Sequence, residues 1–245
     1  MRPWLDPREH SLLAGRGVGR SLPAGSIATK MIPTELRMDD LSGLRKLQPT
    51  LLLNVVFAQG DREVNRQTAL NRRVFVRLVD KAVDEYEESR NLIVAQIAEG
   101  RRSWEEMARS GRFIYMFKFV DHMENCISTV RRILRFLEVL KRDQDGLAFP
   151  RPIRQDIEAL TRPIVKVRNT VEHMDERIRR DEIGEDEPVM LKVMESQDGV
   201  MIGGQTLRFS TLSSLIRKLH SLAEGMAACR TASHPQVCGC QVPNP

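Results

Sequence analysis

The sequence predicts a mainly α-helical fold, an up-and-down helical bundle with a small β-hairpin inserted before its last helix. Three observations predict it. Apolar residues recur at alternating steps of three and four along three long stretches, the signature of helices packed along a seam. The period changes to two only after Pro188. Only 2 Trp, 2 Tyr and 8 Phe occur in 245 residues, too few rings to favour an all-β protein. With 41% hydrophobic and 29% charged residues, the composition is that of an ordinary folded protein and excludes a collagen-like or wholly disordered chain.

Residues 1–49 hold 5 of the 15 Gly and 5 of the 12 Pro, with Gly15, Gly17 and Gly19 set among arginines. No period lasts there, so a disordered or loosely packed segment is expected, with Met31 as an alternative start. The helical domain is expected over residues 50–230. Its opening apolar stretch, residues 50–58, is too short to span a bilayer. No basic, apolar and small-residue series marks a signal peptide. A cytoplasmic protein without membrane attachment is the expectation.

The first long helix carries Phe75, Val79, Ala82, Tyr86, Ser89, Ile93 and Ile97 on one seam and ends at Gly100. Ser103 with Glu106 three residues on is a capping-box signature for the next helix, which Gly111 interrupts near its start. That helix carries Met116, Val120, Met123, Ile127, Val130, Leu134 and Leu137 and runs out at residues 143–146. A third helix opens at Pro150 to Pro152, with Ile164, Val167, Val171, Met174 and Ile178 inward; Pro163 is expected to kink it or mark its real start. Short strands follow at residues 189–194 and 200–202 around an Asp198-Gly199 turn, with a third at 205–209. The β insertion thus spans about 189–209. The last helix starts near Ser210, with Leu212, Leu215, Leu219, Leu222 and Met226 inward, and residues 231–245 form a flexible Cys-bearing tail.

Lys and Arg number 38 against 33 Asp and Glu, a net charge of +5, and 30 of the 38 are Arg. The guanidinium grips phosphate with a planar fork, so such a surface suits RNA, although codon bias produces the same composition. The low aromatic content argues against a reader that works mainly by stacking bases.

The third helix is the informative one. Asn169, His173 and Glu176, at i, i+4 and i+7, share a side away from the apolar seam, so His173 is not a core histidine. Arg168 lies about 140° round a straight helix from His173. Its simplest structural role is an ion pair with Glu172 at i+4.

Arg168-Asn169-x-x-x-His173 resembles the Arg-x4–6-His signature of the HEPN superfamily, and the resemblance extends loosely over residues 62–229. It implies a short helical bundle with the motif on a late helix. It further implies a metal-independent endoribonuclease of toxin or phage-defence type, needing no cofactor. Such proteins form homodimers in which both motifs line one cleft, so RNA, a second copy and an antitoxin or other regulatory protein are the implied partners. Arg168, Asn169 and His173 are the implied catalytic residues. Asp175 departs from toxin members that carry a modifiable Tyr two residues after the His. The chemistry suits the residues: imidazole gives or takes a proton near neutrality, and a guanidinium steadies charge on a phosphoryl group.

Other constellations are weaker. Asp121, His122 and Asn125 flank the second seam, where a polar group would face the motif helix. Arg131, Arg132 and Arg135 are candidate RNA contacts, and equally suit the cation-favouring end of a helix dipole. Cys229, His234, Cys238 and Cys240 are zinc-type ligands in a spacing that matches no common ribbon or finger. Walker, dinucleotide, His-Glu-x-x-His and nucleophile-elbow patterns are absent. The rival to the nuclease reading is a non-catalytic helical interaction or dimerisation module in which Arg168 simply bridges Glu172.

Overall fold

Helix α2 (Arg66–Gly100) and helix α4 (Met116–Arg142) form the spine. At the standard rise they are about 52 and about 40 Å long. The computed structural model describes residues 33–57, 65–142 and 151–228. Asn65 starts α2 by accepting from the Gln67 amide, satisfying one of the orphan donors of the first turn. Phe75, Val79, Ala82, Tyr86 and Ile93 of α2 are buried, as are Met123, Cys126, Ile127, Val130, Leu134 and Leu137 of α4. The two helices share the most extensive contact of any pair of elements.

Between them lies α3 (Trp104–Ser110). Its capping box forms as expected: the Ser103 hydroxyl accepts from the Glu106 amide, and the Glu106 carboxylate accepts from the Ser103 amide. Gly111, at φ +76°, then ends α3 in a conformation that side chains resist, so α4 starts only at Met116.

Residues 33–47, expected to be loose, pack onto the bundle, with Leu41 and Leu47 wholly buried. Contacts from far along the chain hold them. Gln197 accepts from the Thr34 and Glu35 amides, Arg217 donates to the Asp40 carbonyl, and a ring nitrogen of His220 lies 2.9 Å from the Arg45 carbonyl. Helix α1 (Gln48–Phe57) follows, its N-terminus capped by a residue from another helix. Asp80 of α2, 1% exposed, accepts from the Leu47 and Gln48 amides at 2.8–3.0 Å.

Helix α5 (Arg151–Glu172) runs through Pro163, which is therefore not its start. His173 interrupts the helix and α6 (Met174–Arg179) resumes it. The expected seam therefore fails at its end: Ile164 and Val167 are buried, but Ile178 is 54% exposed.

Strands β1 (Lys192–Val193), β2 (Gly199–Ile202) and β3 (Gln205–Arg208) form an antiparallel sheet in sequence order, packed on α5. Gly199 lies in β2 and not in a turn; a Cβ there would meet the Leu207 carbonyl of β3. The turn before it is made instead by residues 194–198, with Gln197 at φ +59°. Helix α7 (Phe209–Ala228) closes the bundle, burying Leu212, Leu215, Leu219 and Met226. Among the described residues no helix is long and apolar enough to cross a membrane.

Replacing Asp80 by Ala strips the buried Leu47 amide and the partly buried Gln48 amide of their acceptor, and a hydrogen bond to a charged group contributes about 1.5–3 kcal/mol. Asp80→Ala should destabilise the protein by about 3 kcal/mol in a denaturant titration, with Asp80→Asn retaining part of the loss.

Candidate functional site

Arg168 and Asn169 occupy the last turn of α5, and His173 stands at the break that follows. Arg168 directly follows Val167, which is fully buried, so its stem leaves the core beside α4. The Arg168 side chain is 19% exposed and pairs with Glu172, one turn on, as its spacing predicts. Its Nε is buried without a hydrogen-bond partner.

Two further arginines face it. Arg131 and Arg135, one turn apart on α4, act on the Arg168 charge from across the groove. Loss of hydration, then Arg135, then Arg131 push its proton affinity below the ordinary arginine value. The Nε of Arg131 is also buried without a partner. Arg132 points to solvent on the neighbouring face. Among the described residues no carboxylate pairs with Arg131, Arg132 or Arg135, so Glu172 alone balances the cluster. The arrangement presents guanidinium donors to an anion, and phosphate oxygens match the fork geometry of such donors.

His173 is exposed, its Nδ1 3.7 Å from a Glu176 carboxylate oxygen, beyond hydrogen-bond range. The Asn169 side chain is exposed too. No hydrogen bond or ion pair joins Arg168 to His173 among the described residues. The structure thus gathers Arg131, Arg135 and Arg168 into one cluster and leaves His173 and Asn169 beside it on the surface.

The polar group on α4 turns the other way from expectation. His122 Nδ1 lies 2.8 Å from Glu85 of α2, a carboxylate that Lys81 also approaches at 3.5 Å. Glu124 beside it is half-buried, and loss of hydration followed by the Asp121 charge holds its carboxyl above the usual range. Neither belongs to the arginine cluster. Cys126 is buried, and that burial, with Glu85 nearby, raises its thiol far above the reactive range. Cys229, His234, Cys238 and Cys240 lie outside the described residues. Among those described, no group of three or more His, Cys, Asp or Glu is placed to hold a metal ion.

Sequence reasoning misses Arg177. Its guanidinium donates to the Gly203 carbonyl at 3.0 Å and the Glu182 carbonyl at 3.2 Å, and approaches Glu187 at 3.5 Å. It ties α6 to the sheet and so fixes the chain direction after His173. Gly203, at φ +48°, is where a Cβ would collide with that guanidinium. No local signal marks the tie of Arg177 to the sheet, because the Gly203 carbonyl lies 26 residues away.

No protein-family model, curated protein or solved structure matches the chain.

Like charges held together oppose folding, and salt screens them. Arg135→Gln should therefore raise the melting temperature at low ionic strength, by a gain of no more than about 1 kcal/mol that shrinks in molar salt. Melting curves at two salt concentrations check this.

Proposed function

We propose that this chain is a HEPN-like, metal-independent endoribonuclease that holds an RNA phosphate with Arg168, Arg131 and Arg135. The observation that carries the reading is the cluster itself: Arg131 and Arg135 beside Arg168, which alone is paired with a carboxylate, next to the Arg-x4-His pattern, with two buried Nε atoms lacking acceptors. A group of cations this poorly compensated is suited to an anion, and RNA is the polyanion whose phosphates it fits. RNA as substrate accords with a cytoplasmic protein of toxin or phage-defence type.

The chemistry follows from the residues. The 2′-oxygen attacks the adjacent phosphorus while its proton passes to a base; the bond from phosphorus to the 5′-oxygen breaks, and that oxygen takes a proton from an acid. The products are a 2′,3′-cyclic phosphate and a 5′-hydroxyl. His173 serves as base or acid, and one chain offers one such imidazole, so a second copy supplies the other. Arg168 steadies the charge that grows on the phosphoryl oxygens, and its pairing with Glu172 holds it ready. Asn169 orients the phosphate or the imidazole.

A second reading has its own observation. The Arg168–Glu172 pair lies within one helix, and His173 faces Glu176, both consistent with a non-catalytic interaction module.

Purified protein should cleave single-stranded RNA with chelator present and leave cyclic phosphate ends. His173→Ala should slow cleavage by about 10²–10⁴-fold, the usual contribution of positioned proton transfer. Arg168→Ala should do comparable damage, while both variants keep their melting temperature. RNA left intact by the wild type, or cut equally fast by both variants, would favour the module.

A further inference from the structure

The loop between α3 and α4 is pinned from beneath while its apolar side chains face water. Glu99, 5% exposed, accepts from the Phe113 amide at 3.0 Å and pairs with Arg102 at 2.7 Å. Gln96, 1% exposed, accepts from the Tyr115 amide at 2.8 Å. Arg102 donates on to the Gly111 and Glu106 carbonyls and lies over the Phe113 ring. On this ordered base stand Trp104, Phe113, Ile114 and Phe117, exposed by 76, 51, 63 and 62%. α3 buries none of its side chains, so the rest of the chain leaves this tip uncovered. Scattered exposed apolar residues need no explanation, but four on one braced tip mark a contact surface.

The charges around the tip are positive on balance, the exposed Arg101, Arg109, Arg112 and Lys118 outnumbering the exposed Glu105 and Glu106 of α3. The side chains of Arg101, Arg112 and Lys118 form no hydrogen bond or ion pair among the described residues. The complementary surface is on the same chain. Arg177 gathers residues 181–190, binding the Glu182 carbonyl and approaching Glu187, while the Gly203 amide donates to Pro188. The chain beside these anchor points exposes Ile178, Val189 and Met190 by 54, 50 and 47%. Glu185 and Asp186 lie between them, exposed and without an ion pair among the described residues.

We propose that the protein self-associates by seating the basic aromatic tip of one copy on the acidic apolar loop, residues 181–190, of a second. Each surface offers an apolar centre with charges at its edge, and the net charges of the two edges have opposite sign, the arrangement that favours docking and rejects like surfaces. A two-fold axis makes the contact twice and closes a dimer; without one, the contact repeats head to tail. The inference rests on these two surfaces and not on the RNA reading.

Light scattering on the full chain tests it, because charge reversal gives a crossed control. Wild type should exceed the monomer mass at about 100 μM, where any contact of micromolar Kd is populated. Arg112→Glu with Lys118→Glu makes both surfaces acidic; Glu185→Arg with Asp186→Arg makes both basic. Each double variant should associate at least tenfold more weakly, with unchanged melting temperature. Mixed in equal amounts, the two should associate again, since every tip now meets an opposite loop. Phe117→Asp should also weaken association. A monomeric wild type overturns the proposal, as does association that survives both reversals, or a mixture that stays monomeric. A tip whose variants lose only RNA or anionic vesicles, without change in self-association, overturns it too.

Discussion

Helices of 35 and 27 residues can hold each other only along a continuous dry seam, and the seam between α2 and α4 fixes the rotation of both. Each fully buried large apolar side chain there contributes about 1.5–3 kcal/mol, and single turns cannot slip without exposing several. Once Met123, Ile127, Val130, Leu134 and Leu137 are inward, the positions beside them have no choice of direction. Arg131 follows Val130 and Arg135 follows Leu134, so both emerge on the α4 flank beside α5, Arg131 partly buried and Arg135 exposed. Arg168, next to buried Val167, emerges on the matching flank of α5. The arginine cluster is thus a consequence of core packing on two helices, and a shift of either seam by one residue would disperse it.

That cluster has a physical cost. Like charges repel, and the hydration lost by Arg168 is returned by only one carboxylate. A fold selected for stability alone would place a second acid there or lose one arginine. Glu172 pairs with Arg168, while among the described residues no carboxylate pairs with Arg131 or Arg135. The same logic separates this region from the His122–Glu85–Lys81 group on the far side of α4, where charges compensate one another and the side chains stitch α2 to α4.

Local and periodic features were legible in the sequence. The seams through Tyr86 and Val130, the Ser103–Glu106 capping box, the three short strands and the Arg168–Glu172 pair all depend on residues a few positions apart. What stayed hidden depends on partners far along the chain. Asp80 caps a helix that begins 32 residues before it, and Gln197 anchors amides more than 160 residues away. Those contacts turn residues 33–47 from a Pro- and Gly-bearing stretch into part of the core. The interruption at His173 was also hidden, because an unbroken period carried the expected seam to Ile178, which the break turns outward. The candidate site was half legible: its residues were nameable, but the approach of Arg131 and Arg135 to Arg168 follows from how α4 meets α5.

The central claim is that Arg131, Arg135 and Arg168 hold phosphates of a single strand. Fluorescence anisotropy of a labelled single-stranded RNA, titrated across a range of salt concentrations, tests it most directly. Binding that neutralises phosphates weakens with salt, with a slope of about −0.7 per contact on single strands. Arg131→Gln and Arg135→Gln should each make that slope shallower by about one contact, and weaken binding similarly for unrelated sequences. A slope identical in wild type and both variants, or no binding at low salt, would contradict the claim.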